Sequence, residues 1–333
     1  MSKIIIGGAQ STGSSLLVNI LNRHSQLAAG PETYLFMHPK LYHHWKQNRK
    51  HLIKTNKLGG LKSETWFKMN GASLLQDFYG WEGEELKRCI LGTEHFAEFA
   101  DLYMARALQK QNAKTWIEKS PANAVAFPDF LNTFDSPKVI HTCRNPYDAM
   151  VSLMKRGYSA YYAAGTYIVN TALALRMHHH KNYHTVSYED LVQKPAQTIQ
   201  ALMHFLEVNI EAHILEPTEQ EKNEKIQLKG WKNNEKGKIK KSSLNRFAEE
   251  TPEAQEKIKA ALFTFAINPT YAEKHKIQHK NIQAITEVLN YKIHSPTKIN
   301  QKRLQQEKRQ DQISRLKKVY PAFGANYPGS LVF

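Results

Sequence analysis

The sequence is short of cysteine, of acid and of long apolar runs. Only Cys89 and Cys143 occur in 333 residues, and Cys143 falls inside an apolar stretch. A disulfide framework is therefore not expected, and a reducing compartment is. No apolar run approaches the roughly twenty residues of a membrane-crossing helix, so no membrane span is expected. The first core strand is expected to start at residue 3, which leaves no room for a signal peptide ahead of it. Together these absences lead to the expectation of a soluble, cytoplasmic protein. Acidic residues number 30 against 46 basic ones, a formal net charge of +16. That balance favours anionic ligands without choosing among nucleotide, sulfated glycan, nucleic acid and membrane surface. No recognised nucleic-acid-binding motif accompanies the charge, so no nucleic acid is expected as a partner. His43, His44 and His51 lack the spacing of a zinc motif, and no metal is expected.

What is present concentrates at the beginning. Ile4, Ile5 and Ile6 form a short β-branched run that reads as a buried strand of a parallel sheet. Gly7 and Gly8 end it, and Gly13 can supply the backbone freedom of a tight strand-to-helix turn. From Ser14 the sequence turns helical, with Leu16, Leu17, Val18, Ile20 and Leu21 too densely apolar for an exposed helix, running to about Arg23. Strand, glycine-bearing loop and buried helix form the layout of a phosphate-cradling loop, where backbone N–H groups and the positive helix end converge on an anion. The spacing from Gly8 to Ser15 is that of G-x-x-x-x-G-K-[ST], except that Ser14 stands in place of the lysine. Nucleotide-triphosphate enzymes of this type use that lysine on the β/γ-phosphates and the next hydroxyl on magnesium. Its absence argues for a phosphate or sulfate held by hydrogen bonds without a metal.

The remaining elements follow in order. Gly30-Pro31 marks a turn before Glu32, and residues 38 to 62 read as an exposed basic helix. A strand over Lys114–Lys119 places Lys119 at its end, where open α/β sheets carry ligand-binding residues. Ser120-Pro121 starts a further helix. A second strand ends at Arg144 and runs into Asn145-Pro-Tyr-Asp, a helix start with Asn145 as N-cap and Pro146 first. That helix places Ser152 and Arg156 four residues apart on one face. Arg144, Ser152 and Arg156 can then converge on a second anion. Two anion sites at two strand ends suit a nucleotide phosphorylated at both ends of its ribose. His178-His179-His180 reads as a solvated helix end. Residues 219 to 241 read as a polar, lysine-rich loop carrying Trp231. Lys298 to Lys318 holds eight Lys and Arg against Glu307 and Asp311, an exposed basic helix or loose arm.

Taken together, these stretches resemble the sulfotransferases that use 3′-phosphoadenosine-5′-phosphosulfate (PAPS). Gln10-Ser-Thr-Gly-Ser-Ser-Leu-Leu looks like their 5′-phosphosulfate loop, and Arg144-Asn-Pro-Tyr-Asp through Ser152 to Arg156 like their 3′-phosphate element. Val186-Ser-Tyr-Glu-Asp-Leu-Val-Gln-Lys-Pro is similar to their Y-E-D-L-V-x-x-P. Trp116-Ile-Glu-Lys-Ser-Pro is similar to the E-K-[ST]-P of bacterial and tyrosylprotein members, and Gly30-Pro-Glu-Thr to the segment carrying that branch's catalytic glutamate. The resemblance covers roughly residues 3 to 250. It implies an α/β fold, a P-loop-like parallel sheet flanked by helices on both faces. Independently of it, no composition break marks a second domain, so a single domain over 1–290 is expected, with a basic extension over 291–333 packed on it or trailing from it.

By the same resemblance, Gln10, Ser11, Thr12, Gly13, Ser14 and Ser15 would hold the 5′-phosphosulfate. Arg144 and Ser152 would take the 3′-phosphate, with Arg156 in support. Tyr188 stands where the family has an adenine or ribose contact, and Ser243 and Arg246 lie in a segment resembling one that returns to the nucleotide. Glu32 would be the base, Lys119 would stabilise developing charge, and the acceptor would bear a hydroxyl, as on a glycan or a peptide tyrosine. One departure is Ser11, which replaces the family's basic loop residue. Two rivals stand beside this reading: a P-loop phosphotransferase, and a nucleotide- or polyanion-binding protein that has lost catalysis. The clamp predicts that Arg144→Ala weakens binding of a 3′-phosphorylated adenosine nucleotide far more than of one lacking that phosphate, as calorimetry would read. Equal losses for the two would count against it.

Overall fold

The computed structural model describes residues 2–30, 32–53, 79–216, 239, 241–297 and 299–316. Strand β1 (Lys3–Gly8), helix α1 (Ser14–Leu21) and strand β2 (Leu27–Ala29) open the chain. Four helices follow: α2 (Pro39–His43), α3 (Trp45–Ile53), α4 (Gly83–Gly92) and α5 (Phe96–Gln111). Strand β3 (Thr115–Lys119) leads through a 3-10 turn (Pro121–Ala126) into α6 (Phe127–Thr133). Strand β4 (Pro137–Cys143) precedes α7 (Pro146–Met154) and α8 (Ala160–Leu175). Strand β5 (Tyr183–Ser187) gives way at once to α9 (Tyr188–Gln193) and α10 (Pro195–Leu206). Helices α11 (Pro252–Thr264), α12 (Pro269–Lys274), α13 (Ile282–Val288) and α14 (Gln301–Leu316) complete the described chain.

All four strand pairings are parallel, in the order β2-β3-β1-β4-β5. The reason lies in β1: Ile4, Ile5 and Ile6 are wholly buried, as a strand covered on both faces must be. Alternation then sorts the two cores. Ile5, Trp116 and Val139 point to one face, under α4 to α8 and α11 to α13. Ile4, Ile6, Ile117 and Ile140 point to the other, under α1 and α10. The chain is thus an α/β parallel sheet with helices on both faces. Helix α8 runs through the larger core with every residue buried except Tyr162. Its Gly165 admits the Phe265 ring, which a Cβ there would approach to 2.7 Å.

Several local expectations change. Helix α1 stops at Leu21, and Leu27–Ala29 is a strand that three residues are too few to announce. The turn after Ser120 is first 3-10, and only then α-helical. Helix α7 ends at Met154, so Arg156 lies beyond it and is exposed. Residues 39 to 53 form two helices with one buried side. Trp45 stacks on Phe99 at 4.9 Å and donates its indole N–H to the Thr93 carbonyl at 3.1 Å. The tail is helical from Gln301, with Leu304 buried in the larger core. Arg303 pairs with Glu253 at 3.0 Å and Lys257 with Glu307 at 2.6 Å, which bind α14 to α11. Lys229 to Lys232, including Trp231, lie outside the described residues. Cys89 and Cys143 are both free thiols, and no described helix is long and apolar enough to cross a membrane.

Two buried histidines make the fold acid-sensitive. Burial pushes His38 and His141 down to about 3, so both stay neutral in the fold while the unfolded chain takes up protons below about pH 6.5. Stability contributed by their neutral state is present above that pH and is lost as pH falls toward 3. The two together lower stability by about 4 kcal/mol between pH 7 and pH 5. Urea titrations at the two pH values check this, and His141→Gln removes about half of the difference.

Candidate active site at the carboxyl edge of the sheet

In a parallel sheet all carboxyl ends lie on one edge, and here each strand delivers a candidate residue to it. Glu32 follows β2, Lys119 ends β3, the loop from Ala9 to Gly13 follows β1, Arg144 follows β4 and Tyr188 follows β5. The strand order therefore sets the order of these residues along the edge, with the loop in the middle.

The loop is built for close approach. Gly8 has φ 140° and Gly13 φ 87°, conformations that glycine adopts without a Cβ penalty. A Cβ on Gly8 would come within 2.4 Å of the Thr142 carbonyl oxygen, and one on Gly13 within 2.5 Å of the Tyr188 ring. Between them Ser11 takes φ 68°, and such left-handed residues turn successive N–H groups toward one concavity. The loop hydroxyls divide the labour. Thr12 donates to the Ala9 carbonyl at 2.7 Å and bonds Thr142 Oγ1 at 2.8 Å, which fixes the turn to β4. Ser11 Oγ is buried without a hydrogen-bond partner among the described residues, a polar atom that a bound anion would satisfy. Ser14 is buried in the first turn of α1, and Tyr158 Oη donates to Gln10 Oε1 at 2.9 Å.

On the β3 side, Lys119 Nζ donates to Ser15 Oγ at 3.0 Å and forms an ion pair and hydrogen bond with Glu32. Both charged groups are buried. Lys119 therefore brings an ammonium to the start of α1, where Ser14 leaves the loop without its own. Behind this pair, Glu118 is wholly buried and accepts from Thr33 N at 2.8 Å, Thr33 Oγ1 at 2.8 Å, Ser120 Oγ at 2.7 Å and Asn123 Nδ2 at 2.6 Å. Burial pushes its carboxyl above the ordinary value, opposed by the bonds from Asn123, Ser120 and Thr33.

On the β4 side, the Arg144 guanidinium is buried. It donates to Ser152 Oγ at 3.0 Å, to the Ser11 carbonyl at 3.1 Å and to the Ser243 carbonyl. Burial lowers its pKa, while Asp148 and Tyr188 oppose the shift. Its Cζ stands 4.6 Å from the centre of the Tyr188 ring. Its Nε has no hydrogen-bond partner among the described residues. Arg246 donates to the same Ser152 Oγ at 3.2 Å and to Ser243 Oγ at 2.5 Å. Two guanidiniums thus meet on one serine hydroxyl, but the second is Arg246 and not Arg156. Asp148 holds the incoming segment by accepting from Phe247 N at 2.9 Å, and Tyr167 Oη donates to the Arg144 carbonyl at 2.6 Å.

The structure brings together Glu32, Lys119 and Ser15 at one place, and Arg144, Ser152, Ser243, Arg246 and Tyr188 at another. Sequence reasoning passed over Glu118, Thr33, Asn123 and Tyr158. The signal for Glu118 was available: it is an acid directly after Trp116 and Ile117 within a short strand. Among the described residues no group of three or more His, Cys, Asp or Glu could hold a metal ion.

Comparison with known proteins follows the same lines. The family model described as "Sulfotransferase family" matches residues 3–212, and no curated protein matches the chain. Among solved structures, the chain is similar to the sulfotransferase domain from the Synechococcus PCC 7002 olefin synthase, with TM-score 0.53 and 18% identity, over 88% of this chain and 96% of that one. It is similar also to the sulfotransferase domain from the curacin biosynthetic pathway, with TM-score 0.51 and 18% identity, over 87% of this chain and 98% of that one. At such identities the likeness speaks for the fold, and the family match over well over half of the chain speaks for kinship. The chain belongs to the sulfotransferase family.

Proposed function

We propose that this protein transfers a sulfuryl group from PAPS to a hydroxyl-bearing acceptor, a glycan or a peptide tyrosine among the candidates, by in-line displacement without a metal. The observation that carries the reading is the meeting of Glu32, Lys119 and Ser15 at the start of α1. The arginine pair on Ser152 stands on the far side of the loop. The two sites are separated by about two strand spacings, roughly 10 Å, which suits one nucleotide phosphorylated at both ends.

In this mechanism the acceptor oxygen attacks sulfur as the bond from sulfur to the 5′-phosphate oxygen breaks. The acceptor proton passes to Glu32, and adenosine 3′,5′-bisphosphate leaves. Lys119 compensates charge gathering on the transferring group and the departing phosphate oxygen. Because Lys119 is also the partner of Glu32, an arriving anion competes with the carboxylate for the ammonium and frees the base in the same event. Ser11 Oγ and the N–H groups of the loop offer hydrogen bonds to the 5′ end. Arg144, Ser152, Ser243 and Arg246 offer theirs to the 3′-phosphate, with Tyr188 against Arg144.

Calorimetric titration with adenosine 3′,5′-bisphosphate, beside ATP with magnesium, tests this. Metal-free binding of the bisphosphate in preference to ATP is expected, and the reverse preference would sink the reading in favour of phosphoryl chemistry. Glu32→Gln leaves bisphosphate binding at least as tight as in the wild type, because Lys119 loses the carboxylate that competes with the anion, while turnover from labelled donor falls by about a hundredfold or more. A protein that binds the bisphosphate yet transfers to no hydroxyl would be the lost-catalysis case. Arg246→Ala weakens bisphosphate binding by about tenfold or more, the worth of a charge-assisted hydrogen bond, whereas Arg156→Ala leaves it nearly unchanged.

A further inference from the structure

We infer that Glu118 is the positioning residue for Glu32, a buried carboxylate that clasps the segment after β2 so that the base meets Lys119. This rests on the reading of Glu32 as the base and adds what holds it there. The argument begins with alternation along β3. Trp116 belongs to the larger core and Ile117 to the smaller, so Glu118 points to the first face and Lys119 to the second. The segment after β2 runs alongside and is matched pair by pair: Glu32 to Lys119 at the front, Thr33 to Glu118 behind.

The rear contact is over-determined. Glu118 Oε1 accepts from both the backbone N–H and the hydroxyl of Thr33, each at 2.8 Å, and from Ser120 Oγ at 2.7 Å. Its Oε2 accepts from Asn123 Nδ2 at 2.6 Å, and that same amide donates to the Ile6 carbonyl of β1 at 3.1 Å. Ser120 Oγ in turn accepts from Tyr34 N at 3.1 Å. One carboxylate therefore ties the Glu32 segment to β3 and, through Asn123, to the strand that carries the anion loop. A second, independent feature marks the same place: Tyr34 has φ 56°. A bulky residue keeps that conformation only where its surroundings impose it, and here the N–H groups of Thr33 and Tyr34 are both held.

The chemistry explains why an acid is required. Two of the four donors, the Thr33 N–H and the Asn123 amide, cannot reverse their polarity in place. A glutamine at 118 would set its own NH₂ against one of them, and Asn123 could accept it only by surrendering Ile6. Burial of a charge is unfavourable unless it is fully hydrogen-bonded, and this one is. An apolar residue would fill the space more cheaply and hold nothing.

The test separates positioning from simple stability. Hydrogen exchange, read on peptides spanning residues 30–36, is compared in wild type, Glu118→Gln, Thr33→Val and Thr33→Ser. Exchange at Thr33 and Tyr34 is expected to rise about tenfold in Glu118→Gln and Thr33→Val, with peptides of β1 and β4 unchanged. Thr33→Ser, which restores the hydroxyl, is expected to match wild type. Bisphosphate affinity by calorimetry stays within about twofold throughout. Turnover from labelled PAPS, with 2-naphthol and a mixed set of glycans and tyrosine peptides as acceptor probes, is expected to fall about a hundredfold in Glu118→Gln and Thr33→Val. It recovers in Thr33→Ser. Unchanged exchange in Glu118→Gln would overturn the clasp. A loosened segment with turnover intact would overturn its link to Glu32. A wild type that transfers to none of the probes would instead overturn the sulfotransferase reading of the site and the catalytic meaning of the clasp with it. In that case the exchange data still report whether Glu118 holds the segment.

Discussion

Parallel pairing of every strand with its neighbours brings all carboxyl ends to one edge, and the site follows from that constraint. A helix or loop must carry the chain back between parallel strands, so residues distant in sequence arrive side by side. Glu32 and Lys119 are 87 residues apart and Arg144 and Ser243 are 99 apart, yet each pair is in hydrogen-bond contact. The order β2-β3-β1-β4-β5 does more than gather them. It places the loop after β1 between the acid–lysine pair and the arginine pair, so the arrangement along the edge is charge pair, loop, arginines. Moving β1 from the middle of the sheet would break that order.

The Lys119–Glu32 pair is expensive by itself. Withdrawing a carboxylate and an ammonium from water costs on the order of several kcal/mol for each ion, and well-packed apolar residues often do as well or better for stability. Both groups are nonetheless buried at the start of α1. Placed there, the ammonium stands beside the loop whose position 14 is a serine, and the carboxylate holds it in place. The same economy applies to Arg144, whose burial is compensated by Ser11, by Asp148 and Ser152 of α7, and by Ser243, on three separate stretches of chain.

How much of this was legible depends on whether the signal was local. The triple isoleucine, the glycine loop and the Asn145-Pro146 start are each carried by neighbours in sequence. Each became the expected strand, turn and capped helix, with Asn145 accepting from Tyr147 N at 3.0 Å. The strand β2 was not legible, because Leu27–Ala29 is defined by pairing to Thr115–Ile117 and not by its own pattern. The basic stretch from residue 39 reads as exposed because its lysines and histidines outnumber Leu41, Trp45 and Leu52, the residues that face the core. Arg156 illustrates the limit of spacing arguments. Four residues from Ser152 put it on the right face of a helix that continues, but Lys155 is already the cap. The partner of Ser152 comes instead from Arg246, 94 residues away, a distance no period can reveal.

That substitution bears on where the site ends. The family match stops at residue 212, while Ser243 and Arg246 stand beyond it and complete the arginine pocket. Their segment is held by Phe247, which stacks on Tyr147 at 4.3 Å and donates its backbone N–H to Asp148. Further along, Tyr291 Oη donates to Glu189 Oε2 at 2.8 Å, and Glu189 Oε1 accepts from Asn145 N at 2.9 Å. Tyr147 Oη donates to the His294 carbonyl at 2.8 Å. These contacts reach the Asn145–Asp148 turn that follows Arg144, directly or, for Tyr291, through Glu189. The late chain thus closes over the arginine from outside, and the pocket that β4 begins is finished by Ser243 and Arg246, 99 residues beyond Arg144 and 94 beyond Ser152. The half of the edge nearest Glu32 and Lys119 draws instead on residues before 124. The two halves accordingly have different origins in the sequence: an early one, complete within the family's span, and one begun by Arg144 and Ser152 inside that span and completed by residues 243–294 beyond it.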